Sequence, residues 1–503
     1  MATLSPLLRL LGVLLLLALV GDAAEPTAAP RRLTAMAYNV ENLFDLDEVS
    51  LYEDFAVSGT SPDRWSAAKL SGKLGRIAAV LKTCGNGRGP DILILNELEA
   101  DHTPATTISP EAFIEAQRGR PYGTLLRGEL SADLAGAPVE AWLAKALEDE
   151  GLPGYRLILG EVRDLDQEAI RCAILTRLPI KSVRQHPVVA ARTIVEAELE
   201  IGGESLFVFA NHWKSGAGNT VTELTRVQNA TVARARIDEI LRADPAANIL
   251  FGGDLNSHYN QQQRYPAMPL TGIQGVLGSQ GSAVKLADGT APLYNLWFDV
   301  EPARRKSDEY HGEWGTLMHL LISKGLADGQ GLDYVGGSFQ AVIIPGLNAH
   351  AFPATPWRLT NYGPGAGVSD HFPLTAEFIV RTEKAVPPLT RAEDLPAAAL
   401  PAFPASLDSS KFPHARDIPT FSPDEVARRI GTIFVVEGTF NAGSRPSLTV
   451  GERRYSLYVP DPALLKVVKA TGKDRPVRWL GQLNFFKGQL EFMVSSPDWI
   501  TAR

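Results

Sequence analysis

The stretch Asn248-Ile249-Leu250-Phe251-Gly252-Gly253-Asp254-Leu255-Asn256 decides how this chain is read. Its run Asn248–Gly253 has the length and apolar character of a buried strand, and it ends in oxygen-bearing side chains. The same design recurs along the sequence. Asn39 closes Leu33–Asn39, inside Ala37-Tyr38-Asn39-Val40-Glu41-Asn42-Leu43-Phe44-Asp45. Glu97 follows Asp91–Asn96, Asn211-His212-Trp213-Lys214 ends Leu206–Asn211, and Ser369-Asp370-His371 precedes Phe372–Ile379. Tyr155–Gly160, Arg171–Thr176, Thr193–Ile201 and Leu317–Ser323 read as further strands. Two helical patterns intervene: Ser66–Lys82, with Leu70, Leu74, Ile77 and Val80 on one face, and Val221–Ala243, with Val227, Ala230, Ala233, Ile237 and Leu241. Many strands with few long helices predict an α/β (α+β) fold of packed sheets covered by helices, not a doubly wound parallel sheet.

Composition agrees. The chain has 503 residues, 45% hydrophobic and 21% charged, which excludes a disordered chain and suits two or three folding units. Arg9, the apolar run Leu10–Val20 and the small residues Gly21–Ala24 have the three parts of a secretory signal, with cleavage after Ala23. The alternative, an uncleaved anchor, is disfavoured because the run is shorter than the ~20 residues of a spanning helix. The expected mature protein is secreted or periplasmic, with no stable membrane anchor. Cys84 and Cys172 suit either one disulfide or two buried thiols. Residues 381–422 read as a Pro/Ala-rich linker (Pro387, Pro388, Pro396, Pro401, Pro404), and strand-like alternation resumes over 423–503, enough for a small all-β barrel.

Strand ends in layered sheets converge on one rim, so these polar residues are positioned to share a cleft. Carboxylate and amide oxygens without thiolates suit a hard divalent cation, and histidines beside them suit a phosphate oxygen or a proton in transfer. Each motif alone also has a plainer reading as a strand end, turn cap or core histidine.

In that order, Asn, Glu, Asn-His, Gly-Asp-x-Asn and Ser-Asp-His, the motifs resemble the endonuclease/exonuclease/phosphatase superfamily, the deoxyribonuclease I-like fold. The resemblance covers roughly residues 32–380, and the Tyr-Asn-Val-Glu-Asn-Leu-Phe-Asp opening is similar to exported bacterial members. It implies a four-layer sandwich and metal-dependent hydrolysis of a phosphoester. By resemblance, Asn39 and Glu97 hold the metal, with Asp370 a further ligand. The metal is Mg²⁺, with Mn²⁺ or Ca²⁺ as alternatives. Asp254 orients and deprotonates the attacking water, Asn256 bonds the phosphate, His371 meets a non-bridging oxygen, and His212 lies near the scissile phosphate. Arg171 and Lys214 are phosphate-contact candidates by chemistry and position.

The sequence departs from the family at one place. Met318, in Thr316-Leu317-Met318-His319-Leu320-Leu321-Ile322-Ser323, stands where an Asp that orients the catalytic histidine is expected. His371 is therefore expected to lack its partner unless His319 or another acid compensates, and Met318→Asp is expected to raise turnover.

The net charge of −8 hides an asymmetry: residues 411–503 carry about +5 and the remainder about −13. In that tail, Phe434, Phe440, Tyr455, Tyr458, Trp479, Phe485 and Phe486 interleave with basic residues, as in an OB-fold that stacks bases, or else they form the core of the barrel. The expected function is an exported nuclease acting on DNA or RNA. The alternatives are a phosphodiesterase or phosphatase for phospholipid or inositol phosphate, and a catalytically impaired nucleic-acid-binding protein.

Overall fold

The computed structural model describes residues 31–47, 52, 65–102, 108–162, 168–188, 190–310, 312–350, 354–359, 367–381, 383–389, 412–422, 425–426, 429, 432–459, 462–470, 474–486, 489–494 and 499–502. The expected signal segment, most of the expected linker and the expected strand break at Lys487-Gly488 lie outside these residues.

Alternation of side chains along the strands builds the architecture. In β1 (Arg32–Leu43), Leu33, Ala35 and Ala37 face one core while Met36, Tyr38 and Val40 face another. In β2 (Ile92–Glu99), Ile92 and Ile94 divide from Leu93 and Leu95 in the same way. These strands lie in one mixed sheet with β3 (Arg156–Leu159), β4 (Ile170–Thr176), β14 (Leu332–Tyr334) and β16 (Leu374–Val380), in the order β14-β16-β1-β2-β4-β3. A second sheet contains β5 (Ile180–His186), β6 (Ile194–Ile201), β7 (Glu204–His212), β8 (Asn248–Asp254) and β13 (Met318–Ile322) in that order, continued by two short strands. The inward rows of both sheets meet in one core: Ala35, Ile94 and Ile174 against Val195, Val208, Leu250 and Leu320.

Helices cover the outer faces. On the first sheet, α1 (Ala67–Leu81) buries Leu70, Leu74, Ile77 and Val80, as its spacing predicts, and the Ser66 hydroxyl caps it by accepting from Lys69 N at 3.3 Å, a contact worth ~1 kcal/mol. Beside it, α2 (Val139–Asp149) is buried from Val139 to Leu147, Glu140 and Lys145 included. On the second sheet, α3 (Thr220–Ala243) buries Ala230, Ala233, Ile237 and Ile240, while its first turns bury the polar residues Glu223, Arg226 and Asn229 instead of Val227. The result is the expected sandwich of helices, sheet, sheet and helices. The edge strand β5 is absent from the sequence reading because its side chains are largely exposed and carry no apolar alternation. Cys84 and Cys172 are free, buried in different cores, so no disulfide links them.

Beyond the sandwich, β17 (Ile433–Asn441), β18 (Ser447–Val450), β19 (Arg453–Tyr458), β20 (Arg475–Phe486) and β21 (Gln489–Met493) close on themselves in the order β17-β18-β19-β21-β20-β17. The helix Pro462–Ala470 lies between β19 and β20. This closed five-strand barrel is the expected small all-β unit, but its aromatics have a different task. Phe434, Phe440, Tyr455 and Trp479 fill its interior; Tyr458 is exposed, and the side chains of Phe485 and Phe486 are outside the described residues. Closure turns one face of every strand inward, and the larger aromatics occupy that face.

No described helix is long and apolar enough to cross a membrane.

Candidate active site

The inward rows run out of apolar residues at one end of the inter-sheet core. Leu33, Ala35 and Ala37 continue into Asn39; Ile92 and Ile94 into Asn96; Val208 and Ala210 into His212; Leu250 and Gly252 into Asp254. Register brings the row ends together: Asn39 pairs with Asn96, and His212 with Asp254. Cross-sheet bonds lock them, because Asn96 Nδ2 donates to Asn211 O at 2.9 Å and Asp254 N donates to Asn96 Oδ1 at 2.9 Å. Within the second sheet, Gly253 (φ +118°) lets β8 lie close to β7, since a Cβ there would lie 2.1 Å from Asn211 O.

Glu97 reaches the same place through strain. It interrupts the β2–β4 register at φ +66°, and Glu41, Asn42 and Asn256 also hold positive φ (50°, 59° and 47°). Such backbone costs ~1–3 kcal/mol per residue and gathers where a site needs it. The irregularity of β1 at Glu41-Asn42 aims its amides at the ligands: Glu41 N donates to Asn39 Oδ1 at 2.9 Å and Asn42 N to Glu97 Oε2 at 3.0 Å. Beneath it, the buried Lys73 of α1 donates to the carbonyls of Glu41 and Asn42. Burial pulls the Lys73 ammonium down to about 8 and pushes Glu41 up to about 7.

Asn39 Nδ2 bridges Glu97 Oε1 (2.8 Å) and Asp254 Oδ2 (2.9 Å). Asp254 Oδ1 accepts from Asn256 N at 2.9 Å, and Asn256 Nδ2 donates to Trp213 O at 3.1 Å. His212 Nε2 lies 3.8 Å from both Glu97 Oε1 and Asp254 Oδ2, and His371 Nε2 lies 3.5 Å from Asp254 Oδ2. Ser369 joins these parts by donating to Asn39 O at 2.7 Å and accepting from His371 N at 3.0 Å.

The two histidines are driven apart. Burial, with Arg192 and His371 nearby, holds His212 well below its ordinary value and therefore neutral. Burial opposes charge on His371 too, but Asp370, Asp254 and Asp308 outweigh it and raise His371 well above its ordinary value. Environments that separate two like groups assign them different tasks in proton transfer. Burial also raises Asp254 and Glu97.

Each candidate from the sequence has a place. Asn39, Glu97, His212, Asp254, Asn256 and His371 converge, and Asp370 binds His371 Nδ1 through Oδ1 at 2.7 Å. That bond gives His371 a carboxylate partner, the compensation by another acid that the sequence left open. Met318 faces the inter-sheet core, fully buried beside Asp254 in register, and His319 points away, donating to Ser257 O and accepting from Asn295. Arg171 is committed to Glu140 at 2.8 Å. Lys214 is fixed by its backbone to Asn229 and Arg226, and its ammonium makes no hydrogen bond or ion pair among the described residues. Lys73, Glu41, Asp308 and Arg358 were not legible as site residues. Arg358 pairs with Glu41 at 2.5 Å and lies 4.0 Å from Asp370.

The donor set fits a divalent cation. Ligand atoms of Glu97, His212 and Asp254 lie within 4.8 Å of one another. Five buried polar atoms here lack a partner among the described residues: Tyr38 Oη, Glu41 Oε2, Asn42 Oδ1, His212 Nδ1 and His371 Nε2. Oxygen donors crowded with raised carboxylates are what a hard cation would relieve.

Residues 174–380 match the family described as Endonuclease/Exonuclease/phosphatase family. Fold and site together define the class as metal-dependent phosphoesterases. None of the curated proteins matches the chain. Among solved structures, it is similar to an endonuclease/exonuclease/phosphatase family protein from Bacteroides thetaiotaomicron (13% identity, 70% of this chain and 97% of that one, TM-score 0.39). A protein of the same family from Leptotrichia buccalis gives 12%, 68%, 98% and 0.40. TDP2 from C. elegans gives 15%, 69%, 75% and 0.38.

Proposed function

We propose that this chain is an exported nuclease that uses a divalent cation, Mg²⁺ by the hardness of its ligands, to hydrolyse a phosphodiester of DNA or RNA. The observation that carries the reading is the convergence of Asn39, Glu97, Asp254, His212 and His371 at the open end of one core. Glu97 and Asn39 would hold the cation, with Asp370 beside them. The cation supplies charge neutralisation at the phosphate and a more acidic water.

The protein's own groups then divide the work. Asp254, raised by burial and fixed by Asn39 and Asn256, takes the proton of the attacking water at Oδ2. His371, held as a cation, places Nε2–H on a non-bridging oxygen as negative charge builds. Neutral His212 offers a hydrogen bond on the opposite side, and the second Nδ2 hydrogen of Asn256 is available to the phosphate. Lys214 and Arg171 remain phosphate-contact candidates, Arg171 with one guanidinium nitrogen on Glu140.

We assign the barrel an OB-like role. Support comes from its strand order, from the parallel β19–β21 pair and from the helix between β19 and β20. The net charge of residues 411–503, about +5, favours a polyanion, and Tyr458 is an exposed aromatic among the described residues of the barrel. Export rests on the sequence of residues 1–23.

The test is incubation of the purified mature protein with plasmid, single-stranded DNA, RNA and a phospholipid panel, in Mg²⁺ or in EDTA. Mg²⁺-dependent cleavage of nucleic acid is expected. Hydrolysis of lipid and of no nucleic acid overturns the reading.

A further inference from the structure

The segment that carries His371 is held against a short hairpin. β11 (Asp308–Tyr310) and β12 (Glu313–Gly315) form it. Its base is fixed to the His371 segment: Asp308 bridges His371, and Phe372 N donates to Ser307 O at 2.6 Å. Asp308 Oδ1 accepts from Leu317 N and from the Ser307 hydroxyl. Arg264 ties the far strand down through Glu313 and Trp314 O. The hairpin is therefore a fixed wall of the site.

Along this wall, cations alternate with aromatic rings. Arg304 is exposed just before it, and Lys306 Nζ lies 4.5 Å from the centroid of the Trp314 ring. Trp314 in turn stacks on Phe372 at 6.4 Å with a 25° tilt. Two residues beyond the His371 bridge, Tyr310 holds its side chain 73% exposed. At the rise of a β-strand, that is ~7 Å from the bridge.

The geometry points to the β11–β12 hairpin as a base-stacking shoulder for single-stranded nucleic acid, with Tyr310 as the residue that receives the base next to the bound phosphate. A phosphate held at His371 places its neighbours along a wall that offers an aromatic face and the cations Lys306 and Arg304. A lipid surface would favour several clustered apolar side chains, whereas this ring stands between Glu309 and Glu313. A duplex keeps its bases stacked internally, so the shoulder selects unpaired strands. The inference rests on the nuclease reading and names its substrate class.

The experiment measures binding of a labelled oligothymidylate in EDTA, and Mg²⁺-dependent kinetics on that oligomer, on the same length of abasic oligomer and on a blunt duplex. Replacing the ring in Tyr310→Ala is expected to weaken binding and raise KM on the single strand about 5- to 100-fold, at the strength of one base–aromatic stack. kcat, and turnover of the abasic and duplex substrates, are expected to be unchanged, and Tyr310→Trp to restore binding. Cleavage of single strands with the same KM in wild type and Tyr310→Ala overturns this inference alone. So does weakened binding of Tyr310→Ala to phosphatidylcholine–phosphatidylserine vesicles with no change on the oligomer. Absence of any nucleic-acid cleavage by the wild type overturns the nuclease reading as well.

Discussion

At the residue scale, Asp254 is the most constrained group in the site. It takes hydrogen bonds from Asn39 and Asn256, stands 3.5 Å from His371 and is nearly inaccessible to solvent. Asp254→Asn keeps that shape while removing the basic oxygen, so turnover should fall ~10²–10⁴-fold with the fold intact. Steady-state rates beside a thermal melt check this. Met318 leads to the opposite expectation from the one its sequence position suggests. His371 already has Asp370, and Met318 packs in an apolar core beside Asp254. A carboxylate at 318 would be buried without a cation, so Met318→Asp should lose roughly 3–5 kcal/mol of stability in denaturant unfolding and gain no activity.

At the element scale, the decisive unit is the strained irregularity near the end of β1 and the lysine of α1 beside it. Lys73 reaches the carbonyls of Glu41 and Asn42 while their amides hold Asn39 and Glu97. Lys73→Met should weaken divalent-cation affinity ~10–100-fold, as loss of a support behind a ligand does, in titration calorimetry on the folded variant. The strand ends were legible in the sequence because alternation carries an inward row until a polar residue replaces an apolar one, as at Asn39, His212 and Asp254. Asn96 belongs to the same rows and was open to the same reasoning. Lys73 was not, since within a helical pattern it reads as a solvated face. Asp308 and Arg358 were not either, because they reach the site on segments without periodicity. In the barrel, alternation could not say which face closure would bury, and Phe434, Phe440, Tyr455 and Trp479 proved to be core.

At the scale of the whole molecule, charge is divided: about −13 outside the tail and about +5 within residues 411–503. If the tail holds a polyanion, deleting 411–503 should weaken nucleic-acid binding and flatten its dependence on salt, as measured by titration at several ionic strengths; unchanged slopes would count against it. The sandwich fold has its own consequence. Half of the site belongs to one sheet and half to the other, joined through Asn96 to Asn211 and Asp254. Neither half can act alone, so a slip of one sheet over the other by a single residue separates Glu97 from His212 before either sheet loses a strand. Catalysis is thus a gauge of alignment, and heat should silence the enzyme no later than it melts it.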